Sequence, residues 1–139
     1  MNKLFYEPPK DINSFPPTRK YAGDAGLDLF IHEDTIIYPG ETKYLTSYVR
    51  FELDDFYCVQ IITRSSTFKN RVIVTPTIID RGYTGYVSTV VSNYNAYPVT
   101  IKAGTRLAQA LLTKYETFAN ETNESIIERG QNGLGSSGD

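Results

Sequence analysis

Alternation of apolar and polar residues with a period of two is the feature that most constrains the fold of this chain. It is clearest in residues 49–53 and 57–61, which lie on either side of the polar pair Asp54-Asp55. Helical periodicity, in which apolar residues recur every three or four positions, is almost absent. Further strand candidates lie at residues 35–38, 71–75, 86–92, 99–103 and 107–115. Short strands separated by Gly, Pro, Asn and Asp predict an all-β sandwich, barrel or jelly roll.

The length of the chain fits a single domain over residues 1–139. A chain of this size buries about two-thirds of its unfolded surface and needs no disulfide staples. Eleven Tyr and seven Phe suit an all-β protein, because aromatic residues favour strands. Only residues 65–70 have the composition of a short helix, and residues 120–128 resemble a polar linker to the C-terminus.

Charge and hydropathy restrict the classes of partner. The net charge is −2, so the basic surface typical of proteins that bind a nucleic acid polymer is not expected. No apolar run has the length of a membrane span, and the first nine residues lack the apolar core of a signal peptide. We therefore expect no membrane partner and a cytoplasmic location.

The single Cys58 and the single His32 limit the chemistry further. One cysteine excludes an internal disulfide, and Cys58 lies in a strand pattern that predicts a packed side chain. One histidine cannot build a His-rich metal site. Because His32 precedes Glu33 and Asp34, we expect it to be exposed at a strand end.

Polar residues interrupt the strand pattern in five clusters. In the first, residues 22–29, Asp28 and two glycines enter the first long strand region, although an ordinary solvated turn has the same composition. In the second, Arg64 is followed by Ser65 and Ser66, which can direct a guanidinium, hydroxyls and backbone N–H groups at one small anion. A helix N-cap at either serine explains the same residues.

The third and fourth clusters lie in the second half of the chain. Asp80 ends an apolar run and Tyr83 follows across Arg81-Gly82. The carboxylate could orient a water and the ring could pack on a substrate, but a type I or II turn also accounts for the spacing. In the fourth cluster, Gln109 is a polar residue in an otherwise apolar strand, and a buried amide needs partners.

The fifth cluster, residues 129–139, has four glycines and two serines behind Arg129. Such a segment is a flexible arm whose exposed N–H groups can surround an anion such as a triphosphate. A frayed Gly/Ser terminus is the alternative.

Together, the five clusters resemble the motifs of the trimeric all-β dUTP pyrophosphatase (dUTPase) family in their order and spacing. Those motifs have the forms A-G-x-D-L, R-S-S/G, G-x-I-D-x-x-Y-x-G, G-x-R-x-x-Q and R-G-x-G-G-F-G-S-S/T-G. The match begins near Pro17 and leaves the first sixteen residues unassigned. The resemblance implies a jelly-roll-like β-barrel with a Gly-rich C-terminal arm, a homotrimer with sites between subunits, and Mg²⁺-assisted hydrolysis of dUTP to dUMP and pyrophosphate. Phage and viral proteins are among the members of this family.

The resemblance also implies a role for each matched residue. Asp80 would activate the water that attacks the α-phosphorus, and Tyr83 would stack on the deoxyribose and exclude a 2′-hydroxyl. Asp28 would support the water shell of Mg²⁺. A hairpin at about residues 72–79 would read uracil with its main chain. The implied phosphate contacts, including the closing arm, are Arg64, Ser65, Ser66, Gln109, Arg129, Gly135, Ser136 and Ser137.

This chain departs from the family pattern at several positions. Leu134 stands where the family has an aromatic ring that stacks on uracil, so the base contact would be aliphatic. Thr77 replaces a glycine, Thr84 replaces a common arginine, Tyr86 replaces an acid or amide, and Asn132 replaces a glycine. The interval between Arg64 and Asp80 is short, which suggests an altered uracil site.

Two other functions share this pattern. A dCTP deaminase carries similar segments, but its catalytic glutamate lies ten residues after the aspartate, where this chain has Val90. The second alternative is a regulator that uses the same fold to bind nucleotide and control a protein partner.

Overall fold

A computed structural model describes residues 1–67 and 70–122 of the chain. These residues form eleven strands and contain no α-helix, which confirms the all-β prediction. The strands are β1 (Lys3–Tyr6), β2 (Leu27–Phe30), β3 (Thr35–Ile37), β4 (Thr42–Thr46), β5 (Val49–Glu52), β6 (Tyr57–Thr63), β7 (Val72–Thr75), β8 (Thr77–Ile79), β9 (Ser88–Asn93), β10 (Val99–Ile101) and β11 (Arg106–Lys114).

Two larger sheets and two ribbons build the domain. One sheet has the strand order β2-β11-β6-β8, the other has the order β4-β9-β7, and the ribbons are β1-β5 and β10-β3. All pairs are antiparallel. Alternating side chains face a common core, as expected for antiparallel sheets with one covered face. Fully buried core residues include Leu29, Ile37, Val49, Val59, Ile61 and Val91.

The chain between β7 and β8 crosses from one sheet to the other. Strand β7 pairs with β9, whereas β8 pairs with β6. Only Pro76 separates the two strands, and one residue is too short for a hairpin turn, which needs at least two. Proline also lacks the N–H that a paired position would use. The predicted hairpin at residues 72–79 is therefore wrong: this segment is a crossover.

The N-terminal segment is part of the fold. Strand β1 pairs with β5 over four residues, and Glu7 accepts a 2.7 Å hydrogen bond from Arg50 Nε. Further along, the N–H of Phe15 donates to the Tyr6 hydroxyl at 2.8 Å. The segment that the sequence motifs leave unassigned thus pairs with β5 and packs against His32.

His32 is buried, with 6% of its surface exposed, so the predicted exposed position is wrong. Rings from distant parts of the chain enclose it: Tyr6, Phe15 and Tyr48 have centroids 5.1 to 5.7 Å from its own. Its Nε2 lies 2.7 Å from the Tyr6 hydroxyl. Burial lowers the pKa of His32 below its ordinary value, because a buried cation loses hydration.

Other predictions concern local segments. Cys58 is a buried free thiol, as predicted. The predicted helix at residues 65–70 includes Phe68 and Lys69, which lie outside the described residues, as does the linker beyond residue 122. Within residues 1–67 and 70–122, no helix has the length and hydropathy needed to cross a membrane.

Candidate active site

Asp28 and two arginines form an ion cluster at the edge of the larger sheet. Asp28 Oδ1 lies 3.1 Å from Arg64 Nε, and its Oδ2 lies 3.4 Å from Arg106 Nη1. The Asp28 side chain is only 14% exposed, whereas those of Arg64 and Arg106 are 30% and 37% exposed. One carboxylate therefore orients two guanidinium groups and leaves a net positive charge on the solvent side.

Strand pairing brings these residues together. Strand β11 lies between β2 and β6, so Asp28 is opposite Gln109 on one side and Gln109 is opposite Ile62 on the other. Arg64 directly follows the end of β6. The register between β11 and β2 shifts between Arg106 and Ala108. Such bulges redirect side chains, and here the shifted residue, Arg106, reaches Asp28.

The side-chain amide nitrogen of Gln109 has a backbone partner. Gln109 Nε2 donates a 3.1 Å hydrogen bond to the carbonyl of Thr63. The side-chain oxygen of Gln109, Oε1, lies close to Gly26: a Cβ added to Gly26 would be 1.9 Å from this oxygen. Gly26 is therefore needed to leave space for the amide. We refer to Asp28, Arg64, Arg106 and Gln109 as the anion cluster.

A tight turn carries the two serines next to the anion cluster. The N–H of Thr67 donates to the carbonyl of Arg64 at 3.1 Å, and the buried Thr67 hydroxyl donates to the Leu107 carbonyl at 2.9 Å. Ser65 and Ser66 are exposed. Arg64 Nη1 lies 3.4 Å from Ser66 Oγ. The turn thus holds the Ser66 hydroxyl beside the guanidinium, and Ser65 is exposed in the same turn.

Asp80 and Tyr83 occupy a second turn, which follows β8. The N–H of Tyr83 donates to the Asp80 carbonyl at 3.2 Å, and Gly82 has φ +91°, the left-handed value that a type II turn needs at its third residue. The Tyr83 ring lies over Gly85, where a Cβ would be 2.4 Å from the Tyr83 hydroxyl. We refer to residues 80–86 as the Asp80 turn. Gly82 permits the turn conformation, and Gly85 leaves space for the Tyr83 ring.

Cys58 is the neighbour of Asp80. Val59 pairs with Ile79, so continuing the ladder by one residue places Cys58 beside Asp80. Burial raises the pKa of the Cys58 thiol, and the negative charge of Asp80 raises this pKa further. Cys58 is therefore held as a neutral thiol and is not an activated nucleophile.

The anion cluster and the Asp80 turn lie far apart within one chain. Asp80 is beside Cys58 near the start of β6, and Arg64 follows its end. Six residues at about 3.3 Å each give a separation of about 20 Å along the strand. The fold therefore joins Asp28, Arg64, Ser65, Ser66 and Gln109, but it does not bring Asp80 or Tyr83 to them.

Arg129, Leu134, Gly135, Ser136 and Ser137 lie outside the described residues. Arg106 belongs to the site but received no predicted role, although it is the arginine of the fourth motif. The described part of the chain contains no group of three or more His, Cys, Asp or Glu that could hold a metal ion by itself.

An open groove of about 680 Å³ extends from the anion cluster over the surface. Arg64, Ser66 and Arg106 form one part of its wall, and Lys20 and Lys102 also line it. Residues 99–101 and 104–105 contribute apolar and small side chains. The volume is in the range of small-molecule sites, and the charge favours an anion.

Comparison with known proteins relates this geometry to a family. A family model described as dUTPase matches residues 13–138. The deoxyuridine 5′-triphosphate nucleotidohydrolase of Clostridioides difficile is 34% identical over 127 residues, which are 88% of this chain and 89% of that protein. The enzyme of the same name from Nautilia profundicola is 39% identical over 119 residues, 82% of this chain and 84% of that protein.

Solved structures show a similar fold. The dUTPase of Staphylococcus bacteriophage 80alpha with dUPNHPP has a TM-score of 0.74 and 22% identity, covering 100% of this chain and 99% of that one. A dUTPase mutant from phage phi11 of S. aureus, in which the coordination of a structural Mg(II) ion is described, has a TM-score of 0.77 and 18% identity, covering 91% and 98%. At these identities the likeness concerns the fold.

Proposed function

Because the chain belongs to the dUTPase family, we propose that it hydrolyses dUTP to dUMP and pyrophosphate. The observation that carries this proposal is the anion cluster, in which residues of the first, second and fourth motifs meet around Asp28. Binding of a triphosphate requires several positive charges and several N–H or O–H hydrogen-bond donors. Hydrolysis of a triphosphate requires little covalent chemistry from the protein. The described residues supply that kind of site.

The phosphate chain binds to the anion cluster and the neighbouring turn in this proposal. Arg64, Ser65, Ser66 and Gln109 contact the phosphates, and Asp28 orients Arg64 and Arg106 through its two ion pairs. The arm at residues 129–139 then closes over the β- and γ-phosphates with Arg129, Gly135, Ser136 and Ser137. Leu134 contacts the uracil.

Asp80 acts as the general base and Tyr83 selects the sugar. An exposed carboxylate on a rigid turn can orient a water and take its proton during in-line attack on the α-phosphorus. The Tyr83 ring, held over Gly85, packs against C2′ of deoxyribose and leaves a 2′-hydroxyl without space.

The active enzyme is a homotrimer in this proposal. Since about 20 Å separates Asp80 from Arg64 along one chain, a second copy must bring its Asp80 turn to the anion cluster. The complete site therefore lies between subunits. Light scattering tests this directly: a fully active monomer would contradict it.

The residues of the anion cluster fit Mg²⁺ bound through water and substrate phosphates. Mg²⁺ keeps several waters and is commonly held by one or two carboxylates together with phosphate oxygens. Asp28 is a partly exposed carboxylate whose oxygens each retain a lone pair beside the arginines, so it can accept hydrogen bonds from metal-bound waters. When bound, the ion neutralises phosphate charge and stabilises the pyrophosphate leaving group.

Pyrophosphate release from the four common dNTPs, dUTP and UTP, with and without Mg²⁺, tests the proposed function. We expect rapid release from dUTP only, reduced when Mg²⁺ is removed. Equal turnover of all these nucleotides would contradict the proposed function, and so would the absence of turnover with every nucleotide. Because its substrate is a free deoxynucleotide, we place the enzyme in the cytoplasm.

A nucleotide-dependent regulator of a protein partner is the second candidate. Three tyrosines around the loop after β9, Tyr38, Tyr94 and Tyr97, are 55%, 60% and 62% exposed, and exposed Tyr is enriched in protein interfaces. Binding of dUTP without turnover would favour this function. Deamination of dCTP is disfavoured because Val90 is an apolar core residue, 6% exposed.

A further inference from the structure

Lys20 lies in the same groove as the anion cluster but belongs to none of the family motifs. The groove is lined by four basic residues, Lys20, Arg64, Lys102 and Arg106. Among the groove-lining residues that the structure describes, none is acidic. The groove is therefore more basic than the anion cluster alone, in which Asp28 offsets one of two arginines.

The loop that carries Lys20 is fixed next to Asp28. Thr18 and Asp28 exchange backbone hydrogen bonds of 3.1 and 2.8 Å. A few residues later, the N–H of Tyr21 donates to Asp24 Oδ2 at 3.1 Å, and Arg19 donates to the Asp24 carbonyl. Lys20 thus projects from an ordered loop at the outer edge of the sheet.

The two lysines of the groove differ in whether they form an ion pair. Lys102 Nζ lies 3.5 Å from Asp34 Oδ2, and Asp34 also accepts a 2.9 Å hydrogen bond from the Ala103 N–H. Lys20 takes part in no ion pair within the described part of the chain, and its Nζ lies 5.4 Å from the centroid of the Tyr21 ring. Lys20 is therefore the lysine whose charge remains available to an anion in the groove.

The strand order places the loop of Lys20 at one end of the anion cluster. Gln109, Asp28 and Thr18 lie side by side on adjacent chain segments, with about 4.8 Å between neighbours. The row from Gln109 to Thr18 therefore spans about 10 Å, and both arginines pair with its middle residue, Asp28. A linear triphosphate bound across this row would direct one end towards the loop of Lys20.

We propose that Lys20 binds the terminal phosphate of the nucleotide and thereby selects a triphosphate over a diphosphate. The proposal rests on the function proposed above, since it assumes that dUTP occupies the anion cluster. The flexible lysine side chain provides a mobile point charge suited to phosphate. Lys20 would act beside Arg64, which holds the inner part of the phosphate chain.

Calorimetric titration with dUDP and with a non-hydrolysable imido analogue of dUTP tests the proposal. For Lys20→Met we expect the Kd of the triphosphate analogue to rise about three- to tenfold, as for loss of one exposed charge contact. The Kd of dUDP should change less than about twofold. Lys20→Arg should restore tight binding of the triphosphate, and Lys43→Met, which removes a lysine on β4 paired with Glu41, should change neither affinity.

The outcomes separate this proposal from the proposed function. If the unmodified protein hydrolyses dUTP and Lys20→Met weakens both nucleotides equally, or neither, Lys20 does not read the terminal phosphate and only the present proposal fails. If the unmodified protein neither binds the analogue nor hydrolyses dUTP, both proposals fail. A loss confined to the triphosphate supports the assignment of Lys20.

Discussion

The anion cluster and the Asp80 turn lie at opposite ends of β6 and are held by different interactions. In the anion cluster, charged side chains fix one another: Asp28 binds Arg64 and Arg106, and Gln109 binds the Thr63 carbonyl. In the Asp80 turn, the backbone provides the stabilising interactions. The N–H of Tyr83 donates to the Asp80 carbonyl, and Gly82 adopts the positive φ of the turn. The first region suits the binding of a multiply charged group, and the second presents a carboxylate and a ring to a partner.

This difference predicts that substitutions in the two regions affect different kinetic constants. Changes in the anion cluster should weaken phosphate binding and raise KM. Changes in the Asp80 turn should lower kcat or alter the choice of sugar.

Asp80→Asn should have the largest effect. It should retain binding of the dUTP analogue and lower kcat by about 10²–10⁴-fold, because it removes a positioned general base while keeping its shape. Asp55→Asn is a matched control, since Asp55 lies at the same end of the sheet and pairs with Arg81 at 3.0 Å. Steady-state pyrophosphate release measures both. Parental kcat in Asp80→Asn would remove Asp80 from the mechanism.

Gly26→Ala should act on the anion cluster without changing its charge. A Cβ at residue 26 would be 1.9 Å from Gln109 Oε1, so the amide must move. We expect KM for dUTP to rise by about tenfold, corresponding to loss of one hydrogen bond to a charged group. Gly23→Ala is the control, because nothing lies within 4 Å of its added Cβ. Equal kinetics for the two variants would contradict the role of Gly26.

Tyr83→Ala should change the choice of sugar. Removing the ring should reduce the ratio of kcat/KM for dUTP to that for UTP by about tenfold or more, since the excluded 2′-hydroxyl then gains space. Tyr83→Phe retains the ring and should retain the ratio. An unchanged ratio in the alanine variant would locate sugar discrimination elsewhere.

A change at His32 should produce the smallest effect, and it should act on stability. Its pKa is lowered by burial, so the unfolded chain binds a proton at a higher pH than the folded protein does. Stability should therefore rise with pH through the window below the ordinary histidine pKa of about 6.5 and level off above it. The melting temperature should rise by about a few degrees across that window. In His32→Gln this pH dependence of the melting temperature should disappear. If the variant kept the parental pH profile, His32 would not be its source.

The alternating pattern of residues 49–53 and 57–61 was enough to predict the all-β class, because alternation is a local property. The burial of His32 could not be predicted, since Tyr6, Phe15 and Tyr48 cover it from distant parts of the chain. The crossover at Pro76 was missed for a different reason: the hairpin at residues 72–79 was implied by the family resemblance, and residues 77–79 were not among the strand candidates.

For the site, the motifs identified Asp28, Arg64 and Gln109 but not their arrangement. The ion pair of Asp28 with Arg106 depends on the pairing of β2 with β11, which joins residues about eighty positions apart. The role of Arg106 depends on the register shift in the same pair. Side-chain identity within a strand pattern does not determine either feature, because both arise from non-local pairing.

Subunit complementation tests most directly whether the anion cluster and the Asp80 turn meet only between copies. At a dUTP concentration that saturates the parental enzyme but lies below the raised KM of Arg64→Met, Asp80→Asn and Arg64→Met should each be nearly inactive alone. When they are co-refolded in equal amounts, about a quarter of the sites in random trimers should combine an intact anion cluster with an intact Asp80 from a neighbour. We therefore expect pyrophosphate release to recover to about a quarter of the parental rate. Activity that stays at the level of the separate variants, although mixed trimers form, would show that both regions must come from one chain.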